Sequence, residues 1–291
     1  MNRCLAFLFA LLCASLSIAS ACTAQPQDWV HFTLERQSGR STEIRASFRD
    51  DGHRRGDNNW STGFAPPQLV GLDVASFRAP GTRPLRFAIV REAGRLDCSG
   101  QGGNAYASGN CRFTADPQFA ALLQSRRIRQ PTREQAFGLM AVDARRELLD
   151  AVAAARYPTP TIDDLMEMSA LEVTGSYIRG LAQAGYRPQS LDTLVEFKAL
   201  EITPEFIGGF ARQGYTNMEP DDLVQLRALD ITPEYIAGFE RLGYRNLPVD
   251  KLVQLKALDI SPEFVRAMQG EPGAVPPVRE LIERKVLDRR H

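Results

Sequence analysis

Histidine is scarce in this chain: only His31, His53 and His291 occur in 291 residues. None has a second histidine at i+4 or another metal-ligand spacing, so neither a ligand nor a catalytic histidine is expected. Also missing are a Gly-x-Ser-x-Gly elbow, a Ser-x-x-Lys pair and a glycine-rich phosphate loop between a strand and a helix. Charge of one sign is not in excess either. Lys+Arg and Asp+Glu both number 35, which leaves no global field to draw the chain to nucleic acid or an acidic membrane. The local run Arg126-Arg127-Ile128-Arg129 reads as a solvated helix end rather than a phosphate patch. Of the basic residues only Lys198, Lys251, Lys256 and Lys285 are lysines, an imbalance with no functional implication of its own. Carboxylates are plentiful, but pairs such as Asp163-Asp164 and Asp221-Asp222 fall at helix starts, where they answer the helix dipole. The loop Asp50–Asn59 has oxygen ligands but two arginines and no EF-hand spacing, so it reads as a solvated turn. No catalytic site, metal or cofactor is expected.

Long apolar runs are confined to the first two dozen residues. Arg3 supplies a short positive start, Leu5 to Ile18 is apolar but short for a membrane span, and small residues follow in Ala19-Ser20-Ala21 and Cys22-Thr23-Ala24. Residues 1–24 therefore read as a signal peptide, and the chain as exported. Cys22 is either removed by cleavage after Ala24 or kept as a lipidated first residue. The segment Ala19-Ser20-Ala21-Cys22 resembles a bacterial lipoprotein box, with Ala19 where a larger aliphatic residue is usual. Cys98 and Cys111 remain, 13 residues apart, and in an oxidising compartment read as one hairpin-closing disulfide.

Residues 25–115 have the texture of a β-rich domain. Val30 to Leu34 and Thr42 to Phe48 alternate in polarity as half-buried strands do. Leu85 to Val90 is a third strand, and the segments bearing Cys98 and Cys111 are a fourth and fifth. Pro66 to Leu72 reads as loop or short edge structure, and Gly100-Gln101-Gly102-Gly103 as a flexible turn. A small antiparallel β-sandwich or open barrel is expected.

From Asp116 the spacing becomes helical, with residues 116–157 as a helical linker and leading half-repeat. Gly185-Tyr186, Gly214-Tyr215 and Gly243-Tyr244 recur every 29 residues, as do Leu165, Leu194, Leu223 and Leu252. Several coincident series at one spacing are the signature of stacked repeats. Residues 158–270 read as four 29-residue helical hairpins, an α-solenoid. Thr203-Pro204, Thr232-Pro233 and Ser261-Pro262 open second helices as N-cap and first helical residue, and Gly185, Gly214 and Gly243 end them in the left-handed conformation. Gly180, Gly209 and Gly238 share one register inside those helices. Glycine there costs about 1 kcal/mol against alanine, so its recurrence predicts a close helix approach. Register is expected to fail at Pro272, with residues 271–291 forming a C-terminal capping helix after Pro276-Pro277.

The segments Leu223-Val-Gln-Leu-Arg-Ala-Leu-Asp-Ile-Thr-Pro-Glu-Tyr235 and Leu252-Val-Gln-Leu-Lys-Ala-Leu-Asp-Ile-Ser-Pro-Glu-Phe264 carry a resemblance, joined more loosely by Trp60-Ser-Thr-Gly-Phe64 and Asp116-Pro-Gln-Phe119. The chain resembles the extracytoplasmic β-domain and helical-repeat region attached to some bacterial membrane zinc peptidases of the β-lactam-sensor (Bla/Mec receptor) type, and related exported proteins of unknown function. The peptidase's His-Glu-x-x-His helix is absent, so the resemblance implies an accessory or sensing module. The expected function is non-enzymatic protein interaction or scaffolding in the cell envelope, periplasmic or anchored by a lipid on Cys22, with another envelope protein as partner. Sensing of a small ligand or wall fragment through the β-domain, and a cell-envelope hydrolase, are the alternatives.

Overall fold

The computed structural model describes residues 29–36, 42–50, 59–268 and 275–288. The expected signal peptide 1–24, Cys22, His53, His291 and nearly all of the loop 50–59 lie outside them. The described chain is α+β: six antiparallel strands followed by many helices. Among the described residues no helix is long and apolar enough to cross a membrane.

The strands are β1 (Trp29–Arg36), β2 (Ile44–Asp50), β3 (Asn59–Phe64), β4 (Arg83–Arg91), β5 (Gly94–Gly103) and β6 (Tyr106–Ala115). They form one open sheet in the order β3-β2-β1-β6-β5-β4, and this corrects the expected two-sheet sandwich. Two three-stranded meanders meet where β1 pairs with β6, so β3 and β4 are the edges. Alternation places Val30, Phe32, Leu34, Phe48 and Phe87 on one buried face. That face is covered by helices rather than by a second sheet. Leu69 and Phe77 of the β3–β4 connection are buried with it, Phe77 from the short helix α1 (Val74–Arg78), which packs against β5 and β6. Neither β3 nor α1 is among the sequence-predicted elements. Asn-Trp-Ser-Thr-Gly-Phe has little alternation of its own, and a five-residue helix is too short for a period to register.

Cys98 and Cys111 face each other directly in the β5–β6 register and are bonded, S–S 2.01 Å. The glycine run between them is not a flexible turn. Gly100 to Gly103 is strand, and the hairpin closes in two residues, Asn104 and Ala105, both at positive φ. The tip is held by Asn104 N–H to the Ala79 carbonyl (2.8 Å) and Ala105 N–H to that of Phe77 (2.9 Å). A Cβ on Gly103 would lie 1.7 Å from the Gly81 oxygen, so glycine is required by this close backbone approach.

The helices after the sheet alternate between two series. One is α2 (Pro117–Ser125), α4 (Arg146–Ala154), α6 (Gly175–Gln183), α8 (Pro204–Arg212), α10 (Pro233–Glu240) and α12 (Pro262–Met268). The other is α3 (Arg133–Ala141), α5 (Ile162–Ala170), α7 (Leu191–Ala199), α9 (Pro220–Ala228), α11 (Val249–Ala257) and α13 (Val278–Asp288). Within each series starts are 29 residues apart, from 117 to 262 and from 133 to 278. The spacing thus begins earlier than the sequence motifs suggest and carries on past Pro272. Packing runs within a series, α4 on α6 and α6 on α8, α3 on α5 and α5 on α7. Buried residues form one cluster from Val30 of the sheet to Leu223, and a second from Phe210 to Leu281. The sheet and the first helices therefore share a core across the expected boundary at residue 115, with Phe113 edge-on to Phe137 at 5.4 Å.

Candidate functional site

Each helix of the second series from α3 to α11 is followed by an acidic residue at positive φ: Asp143, Glu172, Glu201, Asp230 and Asp259. Twenty-six residues after four of these acids stands a base, Lys198, Arg227, Lys256 and Lys285. Each base lies over an aromatic ring of the other series: Lys198 Nζ 5.2 Å from Tyr177, Arg227 Cζ 5.7 Å from Phe206, Lys256 Nζ 5.2 Å from Tyr235 and Lys285 Nζ 4.4 Å from Phe264. Two of the bases also answer the carbonyl end of the preceding helix of their series, Arg227 Nε donating to the Leu200 oxygen (2.8 Å) and Lys256 Nζ to that of Asp230 (3.0 Å). Arg227 pairs with Glu201 at 2.7 Å.

The tyrosines tie one level to the next. Tyr177 Oη donates to the Ile202 carbonyl and Tyr235 Oη to that of Ile260, both at 2.8 Å. Burial pushes both phenols well above the ordinary tyrosine range. Cavities open at these levels: one of about 1120 Å³ is bounded by Tyr177, Lys198, Glu205 and Arg212, and one of about 480 Å³ by Tyr235, Lys256 and Arg241.

At the sheet end the pattern is completed by a foreign residue. Position 169 is a serine, buried at Oγ without a hydrogen-bond partner among the described residues, where the later levels have a base. Arg91 of β4 supplies the charge. Its Nη1 donates to the Met140 (2.8 Å) and Ala141 (2.6 Å) carbonyls at the end of α3, and its Nε is 3.7 Å from Asp143. Its guanidinium lies over Trp60 at 5.1 Å and Phe64 at 5.5 Å. Burial lowers the Arg91 pKa, and Asp143 opposes that shift. Arg91 and Ser169 border the same 530 Å³ cavity. Sequence spacing could not have singled out Arg91, which belongs to another part of the chain.

Thr203, Thr232 and Ser261 accept from the N–H groups of Phe206, Tyr235 and Phe264 as N-caps, with Pro204, Pro233 and Pro262 first in their helices. Gly185, Gly214 and Gly243 hold φ of 86°, 87° and 97°. Cβ atoms on Gly180, Gly209 and Gly238 would lie 2.7, 2.7 and 2.5 Å from Cγ of Pro204, Pro233 and Pro262. The two sets of motif residues thus touch across successive helices. Cys98 and Cys111 lie in the sheet, apart from this face. On the register Arg179, Gly208, Ala237 and Arg266, the two arginines are exposed and the two small residues half-buried. Among the described residues no group of three or more His, Cys, Asp or Glu side chains is placed to hold a metal ion. Comparison with protein families, with curated proteins and with solved structures returns no match for this chain.

Proposed function

We propose that this chain is a non-enzymatic, exported interaction protein whose helices α2–α13 act as an α-solenoid presenting a groove to another envelope protein. The observation that carries this reading is the recurrence of open cavities at equivalent levels, beside Tyr177–Lys198 and again beside Tyr235–Lys256. Tyrosine, base and N-cap hydrogen bonds hold the backbone around them, which leaves Glu205, Arg212 and Arg241 at their rims to meet a partner. The leader-like first residues and the Cys98–Cys111 bond favour an oxidising compartment. The motif segments 223–235 and 252–264 favour the accessory part of a sensor system over an enzyme.

Charge reversal at the rim tests the reading. Glu205→Arg with Arg212→Glu, both exposed, changes the groove and leaves the core alone. Partners crosslinked to the native protein in envelope extracts should be lost from this variant while its circular dichroism is unchanged. Equal recovery of the same partners from both proteins would rule out the groove as the contact surface.

A further inference from the structure

The two edges of the sheet are treated differently. Edge strand β4 carries Arg83, Pro84, Arg86 and Arg91, and part of its length is closed by Val70, whose N–H and carbonyl each bond Ala88 at 2.8 Å. Charge, proline and a covering segment are the usual means of blocking an exposed edge. Edge strand β3, Asn-Trp-Ser-Thr-Gly-Phe, has neither charge nor proline, and none of the described residues bonds along it as Val70 does along β4. Its pairing to β2 uses alternate residues, and the others turn their N–H and carbonyl groups outward. Among the described residues no main-chain hydrogen bond from outside the sheet reaches β3.

Two cavities flank this edge. One, of about 670 Å³, has apolar walls in Trp60, Phe137 and Met166 and is also bordered by Arg129, Glu134 and Asp163. The other, of about 530 Å³, is bounded by Trp60, Ser61, Thr62, Arg91 and Glu172. Trp60, Ala141 and Val142 border both. Trp60 and Thr62 lie opposite Phe48 and Ala46, on the buried face of the sheet. A strand added beside β3 would direct every second side chain to that same face, toward the two cavities.

The charges in the second cavity are unbalanced. Arg91 and Arg145 are both engaged with Asp143, and Glu147 accepts the Gly175 N–H at 3.1 Å. The exposed Glu172 carboxylate has no ion pair or hydrogen bond among the described residues. Open main chain, a largely apolar cavity and a spare carboxylate beside the same strand match an extended peptide better than a compact ligand.

We propose that β3 captures an extended segment of a partner protein as a seventh strand, with an aromatic or aliphatic side chain in the Trp60–Phe137–Met166 cavity and a Lys or Arg on the same side facing Glu172. This surface adjoins the helical groove at Thr174 but engages β3 rather than the groove's Glu205 and Arg212, and the two proposals stand or fall separately.

The probe is a set of acetylated octapeptides with Phe and Lys two residues apart in a Thr/Val background, titrated into the full mature chain by calorimetry. Saturable binding is expected for this peptide. Lys→Asp in the peptide should weaken it about tenfold, the scale of one lost charge pair at an interface. Methylating alternate backbone nitrogens should abolish binding, because the main-chain bonds to β3 are then lost. The variant Glu172→Gln, at an exposed position, should fold normally and no longer distinguish Lys from a neutral residue. Equal binding of the N-methylated peptide would make this a side-chain or small-ligand cavity and overturn strand capture. Absence of saturable binding by any peptide of the set, or a Lys preference unchanged in Glu172→Gln, would overturn it as well.

Discussion

Gly209 in α8 leaves the space that Pro233 fills at the start of α10: a Cβ on the glycine would lie 2.7 Å from the proline Cγ. The same fit joins Gly180 to Pro204 and Gly238 to Pro262. One level earlier the partners are exchanged. Ala151 stands in the glycine register and Gly175 in the proline register, where a Cβ would meet that of Ala151 at 3.0 Å. Gly175 also uses the N–H that proline lacks, donating it to Glu147. Small and large residues are therefore matched pair by pair.

This match predicts a sign reversal of helix propensity. Gly209→Ala should gain up to about 1 kcal/mol of helix preference yet lower stability overall, because overpacking of this kind costs about 1–3 kcal/mol. Adding Pro233→Ala should restore most of the loss. Urea unfolding of the single and double variants measures it, and additive effects of the two changes would show that the contact is not the cause.

Phe206 occupies the register of Tyr177 and Tyr235 but has no hydroxyl, so it lacks the bond that its neighbours make to Ile202 and Ile260. Phe206→Tyr should reach the Ile231 carbonyl and raise stability by about 0.5–1.5 kcal/mol, the net worth of one hydrogen bond. An increase in the urea midpoint is expected, and a decrease would mean that the middle level is built differently.

Arg91 joins the sheet to the helices through two carbonyls, Asp143 and the Trp60 ring. Arg91→Met keeps much of its length and removes the charge. The expected loss is about 2–3 kcal/mol, the scale of charged hydrogen bonds, with a change in Trp60 fluorescence at ring contact with residue 91. Because the sheet and first helices share a core, these two parts should still unfold together.

Burial raises the phenol pKa of Tyr177 and Tyr235, and also those of Tyr215 and Tyr244. The unfolded chain releases these protons as pH passes about 10, while the folded chain still holds them. Their contribution is thus fully present below that pH and is lost as pH rises toward the folded values. The melting temperature should fall steeply above about pH 10. Tyr177→Phe with Tyr235→Phe should melt lower near neutrality, for want of two hydrogen bonds, but show a shallower alkaline decline. Parallel declines for the two proteins would place the alkaline sensitivity elsewhere.

Much of this architecture was legible one residue at a time. Caps such as Thr232-Pro233, the left-handed Gly214 and the pairing of Cys98 with Cys111 depend on neighbours close along the chain, so residue type and spacing announced them, with an oxidising compartment assumed for the cysteines. The shared register of Gly180, Gly209 and Gly238 foretold a close approach, though not that a proline ring makes it. The glycine run 100–103 misled, because glycine marks a tight backbone approach in a strand as well as a turn. What only the tertiary structure decided was where distant segments meet. The order β3-β2-β1-β6-β5-β4, which leaves β3 as an edge, follows from β1 pairing with a strand more than seventy residues away. Arg91 stands in for the base missing at Ser169 because packing brings β4 to the end of α3. Periodicity reports forces that act within a helix or strand, and it is silent about contacts made across the chain.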